Sequence, residues 1–231
     1  LRSLKAAMAE REANNISVKN IKENKIHYTK NDKFDPKRKL LVPQMSPIHF
    51  QFIQKAVNLS GWNVEILQDT SREIIEEGLR YVNNDACYPA IIVIGQLIGA
   101  LKSGKYDLNN VAVGITQTGG GCRATNYIGF LRKAMYEAGF KDVPVVSLSA
   151  QGIEDNGLKE NISLPLLNRG FMAVVYGDLF MKVLYRTRPY EKVKGSANAL
   201  YEKWVKICMD SLESAKFSTF SKNIKAIIKD F

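Results

Sequence analysis

"RKLLVPQMSPIHFQFIQKAVNLSGWNVEIL", residues 38–67, decides the fold of this chain. The apolar run over 39–44 predicts a short buried strand, and Ser46 and Pro47 are typical of the cap and the first position of a helix. Apolar residues then recur at helical spacing as far as Gly61, and the stretch closes on a second short strand, "NVEIL". A strand, a helix and a strand in such close succession form the unit from which parallel sheets are built.

The rest of the chain continues this alternation of strands and helices. Two more strands are predicted, at 111–116 and 143–149, both rich in apolar residues, as a sheet covered on two faces requires. The helical patterns cover residues 71–82, 88–104, 124–140, 163–191, 197–215 and 220–231. We therefore predict an α/β protein with a parallel, doubly wound sheet, Rossmann-like or flavodoxin-like, followed by C-terminal helices.

The chain divides into three predicted regions. Residues 1–37 are charged and lack a hydrophobic pattern apart from one short helical stretch, which predicts a linker or a partly disordered segment. Residues 38–160 are predicted to form the Rossmann-like α/β domain, and residues 161–231 a helical C-terminal region that packs on it. The charged opening segment and a first residue other than Met indicate a piece of a longer protein.

The composition narrows the class of protein. Of the 231 residues, 45% are hydrophobic, which is enough for a large core. The formal charge of +10 is concentrated toward the two ends, so we interpret it as a surface property and disfavour a nucleic-acid partner. No signal peptide or bilayer-length apolar segment is recognisable, and three cysteines do not make a disulfide framework. These features predict a protein of the reducing cytoplasm with free thiols.

"TQTGGGCRATNY", residues 116–127, carries the strongest chemical signal. Backbone N–H groups of Gly119, Gly120 and Gly121, between a strand and a helix, suit an anion or the sulfides of an inorganic cluster. Cys122 would lie at a helix start, where the dipole favours the thiolate that binds iron or zinc. Arg123 could pair with a phosphate or lie solvated on the first turn. The plainer alternative is a glycine-rich turn with an inert buried cysteine.

A second cysteine lies in a similar setting. In "NNDACYPA", residues 83–90, Asn84 or Asp85 can cap a helix, and Cys87 lies at its start. Neither Cys87 nor Cys122 has another cysteine two or three residues away, so no zinc-finger or ferredoxin spacing is present. Cys208 lies at helical spacing with apolar neighbours and is predicted to be a core residue.

The remaining polar candidates carry weaker signals. His49 follows the first strand and is interpreted as a helix-surface histidine, with a catalytic role as the alternative. His27 falls in the predicted linker. Ser147 and Ser149, toward the end of the last predicted strand, and Gln151 after it could line a cleft at the sheet edge or cap the next helix.

Four motifs together resemble a known family. "VPQMSPIHFQFIQKAV", "YVNNDACYPAIIVIGQLIGALKSGKYD", "TQTGGGCRATNYIGFLRKA" and "LYRTRPYE" are similar to the large 2-hydroxyacyl-CoA dehydratase activator-related proteins, over about residues 38–192. In that family an actin-like ATPase region precedes a region similar to the dehydratase subunits, which are built from Rossmann-like domains and hold iron–sulfur clusters through cysteines. The resemblance places this chain at the start of the dehydratase-like part.

The resemblance implies a specific chemistry. It makes Cys87 and Cys122 candidate ligands of an iron–sulfur cluster of unspecified type, and implies ATP-driven electron transfer at low potential. The implied partners are an ATP-hydrolysing actin-like activator region and an acyl-CoA, and the fragment alone is expected to be inactive. Two alternatives stay open from the residues themselves: a nucleotide- or CoA-binding module in which the glycines and Arg123 hold phosphate, and an interaction domain without a cofactor.

Overall fold

A computed structural model of the chain describes residues 2–15, 33–83, 85–117, 119–149 and 159–231. These ranges contain four strands, which agree with the four predicted from the sequence. The strands are β1 (Lys39–Pro43), β2 (Asn63–Leu67), β3 (Val111–Gln117) and β4 (Val145–Ser149).

Eight α-helices surround or follow these strands in the described ranges. They are α1 (Arg2–Ala13), α2 (Pro47–Asn58), α3 (Arg72–Leu79), α4 (Tyr88–Lys102), α5 (Tyr127–Glu137), α6 (Leu164–Thr187), α7 (Ser196–Ser214) and α8 (Phe217–Asp230). Short 3-10 turns cover Arg123–Asn126, Lys159–Asn161 and Arg188–Tyr190. None of the described helices is long and apolar enough to cross a membrane. Residues 16–32 of the predicted linker lie outside the described residues.

The four strands form one sheet, in the order β2-β1-β3-β4, and all of them run parallel. Leu40 of β1 pairs with Val64 on one side and with Ala112 on the other. This order is the start of the flavodoxin-like arrangement, in which the chain reverses direction across the sheet between β1 and β3. The predicted α/β class with a parallel, doubly wound sheet is confirmed.

The two faces of the sheet bury different helices. Leu41 and Val113 point to the face covered by α4 and α5, and belong to the largest hydrophobic cluster. Leu40 and Val146 point to the opposite face, where they pack with Phe50 of α2. This alternation follows from the period of two along each strand, which sends successive side chains to opposite faces.

The C-terminal helices pack against α2 on its side away from the sheet. Phe52 and Ala56 of α2 are fully buried in a cluster with Tyr176 and Phe180 of α6 and with Trp204 of α7. The Phe52 and Phe180 rings are stacked, with their centroids 5.6 Å apart. Because α2 contributes side chains to both clusters, it joins the α/β sheet to the helices that follow.

Glycines allow α3 and α4 to approach until their backbones touch. A Cβ atom on Gly95 of α4 would lie 2.1 Å from the carbonyl oxygen of Ile74 in α3. A Cβ atom on Gly78 of α3 would lie 2.1 Å from the carbonyl oxygen of Ile91 in α4. Both distances are far below van der Waals contact, so only glycine is compatible with this packing. The contact fixes the position of α4, whose first turn lies at the functional edge described below.

We predict that Gly95→Ala lowers the free energy of unfolding by about 1–3 kcal/mol, because the added methyl group forces α3 and α4 apart. The matched control is Gly129→Ala in α5, where the new Cβ meets nothing within 4 Å. That change should stabilise the protein by about 0.5–1 kcal/mol through helix propensity alone. Urea unfolding followed by circular dichroism measures both effects. Equal stability of the two variants would contradict the proposed backbone contact.

Candidate functional site

The candidate site lies where the strand order reverses, at the carboxyl ends of β1 and β3. Parallel α/β sheets bind their ligands in the crevice at this position. Thr116 Oγ1, near the end of β3, donates a hydrogen bond to Met45 Sδ in the loop after β1, over 3.4 Å. The end of β3 is therefore in contact with the loop that follows β1.

Cys87 occupies the N-cap position of α4 and points toward α5. The sequence predicted Asn84 or Asp85 as the cap; Asn84 lies outside the described residues, and the N-cap position belongs to Cys87. Pro89 explains this start, since proline is tolerated in the first helical turn. The Cys87 Sγ atom, half-buried, lies 2.6 Å from the hydroxyl oxygen of Tyr127, the first residue of α5.

Cys122 lies at the exposed start of the short 3-10 turn that leads into α5. The expected α-helical first turn is replaced by this tighter turn, which is held by two side chains. Cys122 Sγ accepts a hydrogen bond from Ala124 N over 3.5 Å, and Thr125 Oγ1 donates to the Gly120 carbonyl oxygen over 3.0 Å. The thiol therefore lies one 3-10 turn before α5, and not in the first α-helical turn that the sequence predicted.

The Tyr127 phenol joins Cys87 to the segment that carries Cys122. Tyr127 follows the turn of Cys122 directly and is almost fully buried. Burial is the main cause that raises the pKa of its hydroxyl group to about 12, and the hydrogen bond to Cys87 contributes further. Two segments whose cysteines are 35 positions apart in the sequence are thereby brought into contact.

The three glycines have different structural roles. Gly119 has φ of +73°, a left-handed conformation that favours glycine. A Cβ atom on Gly120 or Gly121 would meet nothing within 4 Å, so these two are not required by packing. What they leave is an open, side-chain-free surface directly before Cys122.

Arg123 connects the two cysteine segments. Its Nη1 atom donates to the carbonyl oxygen of Asp85 over 3.3 Å, two residues before Cys87. The guanidinium group is otherwise exposed at the protein surface. Arg123 therefore helps to hold the glycine loop beside the start of α4.

Two buried glutamines hold the loops at the carboxyl edge of the sheet by hydrogen bonds. Gln117 Nε2 donates to the Thr125 carbonyl oxygen over 3.1 Å, and Gln117 Oε1 accepts from Ser147 Oγ over 3.0 Å. Gln96 Oε1 accepts from the backbone N–H of Gln44 over 3.1 Å, and Gln96 Nε2 donates to the Asp69 carbonyl oxygen over 2.6 Å. Gln96 thus ties the ends of β1 and β2 to α4.

Three supporting residues were missed in the sequence: Gln96, Gln117 and Tyr127. The signal that could have indicated the glutamines is a polar residue within an otherwise apolar run, as in "YPAIIVIGQLIGALKSG" and "VAVGITQ". Ser147 is buried within β4 and donates to Gln117, so it supports this edge from beneath and neither lines a cleft nor caps a helix. Gln151 and His27 lie outside the described residues.

His49 does not lie on the helix surface, so that interpretation is wrong. Its ring packs directly on α6, where a Cβ atom on Gly177 would lie 2.3 Å from His49 Cδ2. The two ring nitrogens lie 2.9 Å from Ser46 Oγ and 2.9 Å from Asp178 Oδ1. His49 therefore links the start of α2 to α6, because the missing side chain of Gly177 makes room for it.

Cys208 is a core residue, as predicted. It is fully buried in the cluster formed by α2, α6, α7 and α8. Burial raises the pKa of its thiol to about 12. Cys208 therefore does not belong to the site of Cys87 and Cys122. Among the described residues, no group of three or more His, Cys, Asp or Glu side chains is arranged to hold a metal ion.

An apolar groove of about 390 Å³ opens near the same edge, on the α2 face of the sheet. Its floor is formed by strand side chains such as Val42 and Ile66, and its walls by residues of α2 and α6, including Phe50 and Phe171. Thr116, which contacts Met45 at the site, also lines the groove. An apolar group could therefore lie in the groove while polar atoms of the same molecule reach the carboxyl edge.

Comparisons with protein-family models, with curated proteins and with solved structures find no match to this chain. The conclusions on its function therefore depend on the site and on the motifs of the sequence.

We predict that two thiols of the native protein react with Ellman's reagent, Cys122 faster than Cys87. Cys122 is exposed, whereas Cys87 is half-buried and bonded to Tyr127. Cys208 should react only after denaturation, because its thiolate is strongly disfavoured at the buried position. The measurement is the time course of thiol release with and without denaturant.

The Cys208→Ala variant serves as the control, and should release the same two thiols in the native state as the wild type does. Three reactive thiols in the native protein would contradict the core assignment of Cys208.

Proposed function

We propose that Cys87 and Cys122 bind an iron–sulfur cluster, and that the protein takes part in ATP-driven, low-potential electron transfer in a 2-hydroxyacyl-CoA dehydratase- or reductase-like system. One observation carries the proposal. The two thiols come from separate segments, at the start of α4 and at the start of the turn before α5, and contacts join these segments: Cys87 Sγ lies 2.6 Å from the Tyr127 hydroxyl oxygen, and Arg123 donates to the Asp85 carbonyl oxygen.

The donor set is compatible with part of such a cluster. Cysteine thiolates are the usual protein ligands of iron–sulfur clusters, and a cubane takes four ligands. Cys87 and Cys122 supply two of these. Cys208 cannot be a third ligand, because it is buried in the hydrophobic core between α2 and the C-terminal helices. The remaining ligands therefore come either from groups other than cysteine or from a polypeptide segment that is not part of this sequence.

Residues around the thiols are suited to a bulky inorganic group. When bound, an iron–sulfur cluster stores and releases single electrons, and hydrogen bonds to its sulfurs tune the potential. The Tyr127 hydroxyl oxygen lies 2.6 Å from Cys87 Sγ and would donate to this sulfur in its thiolate form. Gly120 and Gly121 have no side chains that would obstruct approach to Cys122, and their surroundings are open. Arg123 holds the two segments together.

The electron source and the substrate follow from the resemblance noted in the sequence. The source is an ATP-hydrolysing actin-like activator region, and the ligand is an acyl-CoA. The apolar groove next to Thr116 supports this ligand class, because a thioester combines an apolar acyl group with polar atoms. No membrane or nucleic-acid partner is part of the proposal.

We expect the anaerobically reconstituted protein to contain iron and acid-labile sulfide in equal amounts. Cys87→Ser and Cys122→Ser should each lose most of both, whereas Cys208→Ala should retain them, because only the first two thiols lie at the site. Circular dichroism should show a folded Cys122→Ser protein, since its exposed position tolerates a hydroxyl group. Iron retained in both serine variants would contradict the cluster.

A second candidate is a CoA- or nucleotide-binding module without a cluster, favoured by the glycine loop, Arg123 and the apolar groove together. The same variants separate the two functions when CoA binding is measured by calorimetry. If the module is correct, both serine variants bind CoA like the wild type, and Arg123→Ala binds it about tenfold more weakly. In that case no variant, nor the wild type, contains iron above background.

A further inference from the structure

Helix α6 carries an exposed apolar stripe that the described parts of the chain leave uncovered. Six of its apolar side chains are between 39% and 81% exposed. These residues, called the α6 seam below, are Leu164, Leu167, Phe171, Val174, Met181 and Tyr185. They lie on another side of α6 from the residues buried against α2, α7 and α8, such as Tyr176 and Phe180. Phe171 also contacts Phe220 of α8, with ring centroids 6.2 Å apart, and with Leu167 it lines the apolar groove, so the seam begins at the rim of that groove. Contiguous apolar surface of this kind marks interaction sites in folded proteins.

The spacing of the α6 seam is that of a coiled coil. Its members follow one another at intervals of three, four, three, seven and four residues. Asp178 lies four residues after Val174 and three before Met181, so it occupies the heptad position between them. The seam therefore covers three heptads, with Asp178 as its polar member. The 24 residues of α6 correspond to a length of about 36 Å. A single partner helix could therefore lie along the whole seam.

Asp178 argues against a second copy of this chain as the partner. In a parallel pairing of two α6 helices, the two Asp178 carboxylates would face each other. In an antiparallel pairing, each carboxylate would be buried against an apolar side chain. Both arrangements would take the exposed Asp178 carboxylate out of water, where its hydrogen bond with His49 would replace only part of its hydration, and burial of a charge without full pairing is costly.

The charges beside the seam indicate what the partner carries. Lys182 and Arg186 lie exposed along one side of the seam, and Arg188 follows at its C-terminal end. A second α6 would bring like charges together, whereas acidic residues on a partner would meet these cations. A cation on the partner opposite Asp178 would complete the pairing of that carboxylate.

We propose that the α6 seam binds an amphipathic helix of a different polypeptide. The partner helix has apolar residues at heptad spacing, acidic residues beside them, and one Lys or Arg that faces Asp178. Helix-in-groove recognition of this kind depends on apolar anchors for affinity, and on the flanking charges for specificity and orientation. The proposal is independent of any cofactor at Cys87 and Cys122.

Two synthetic peptides of 24 residues test this, each with leucine at the heptad positions. The first has glutamate at the flanking positions and one lysine opposite Asp178; the second has these charges reversed. Fluorescence anisotropy with the full chain should show binding of the first peptide, at least tenfold tighter than of the second. Raising the salt concentration should weaken that binding, since exposed ion pairs are screened.

Variants locate the binding surface. The double variant Val174→Glu, Met181→Glu should bind the first peptide at least tenfold more weakly, without loss of fold, because both side chains are exposed. Ile228→Glu is the matched control, an exposed apolar residue of α8, and should bind like the wild type.

Three results would overturn the proposal. The first is no binding of the acidic peptide, and the second is equal binding of both peptides. The third is a dimer of the wild-type protein in analytical ultracentrifugation together with a monomeric double variant, because a second copy of the chain would then occupy the seam.

Discussion

The burial of α4 is the constraint on which the rest of the structure depends. This helix is apolar on most of its surface, and nine of its residues are buried between the sheet, α3 and α5. At about 1.5–3 kcal/mol for each large apolar side chain, its burial is a major part of the stabilising free energy. Gly95 allows it to lie directly on the α3 backbone, and Gln96 ties it to the strand ends.

The position of α4 also determines where the two candidate cysteines lie. Because α4 is fixed along its length, Cys87 at its start is held at the carboxyl edge of the sheet. The bond from Cys87 to Tyr127 then fixes the start of α5, and with it the turn that carries Cys122. Packing in the core therefore brings the segments that carry Cys87 and Cys122 into contact at this edge of the sheet. The opposite face, with α2 and the C-terminal helices, contributes the apolar groove.

Much of the fold could be predicted from the sequence, because each element carries its own local signal. Periods of two and 3.6 residues indicated the strands and helices, and the strand–helix–strand unit at 38–67 indicated the parallel sheet. Both candidate cysteines were indicated by their positions at helix starts. Gln96 had a local signal, as a polar residue in an apolar run, but its partners could not be predicted, nor could the contact of Tyr127 with Cys87 or the packing of His49 on Gly177, because all of these join distant segments. No local pattern encodes such contacts.

The measurement that tests the central claim most directly is the binding of phenylarsine oxide, a reagent that is held tightly only by two thiols close enough to bridge. The account predicts one tightly bound arsenical per wild-type chain by native mass spectrometry. Cys208→Ala should bind it equally, and neither Cys87→Ser nor Cys122→Ser should retain it. A wild-type protein that fails to retain the arsenical, although both thiols react separately, would contradict a shared site for Cys87 and Cys122.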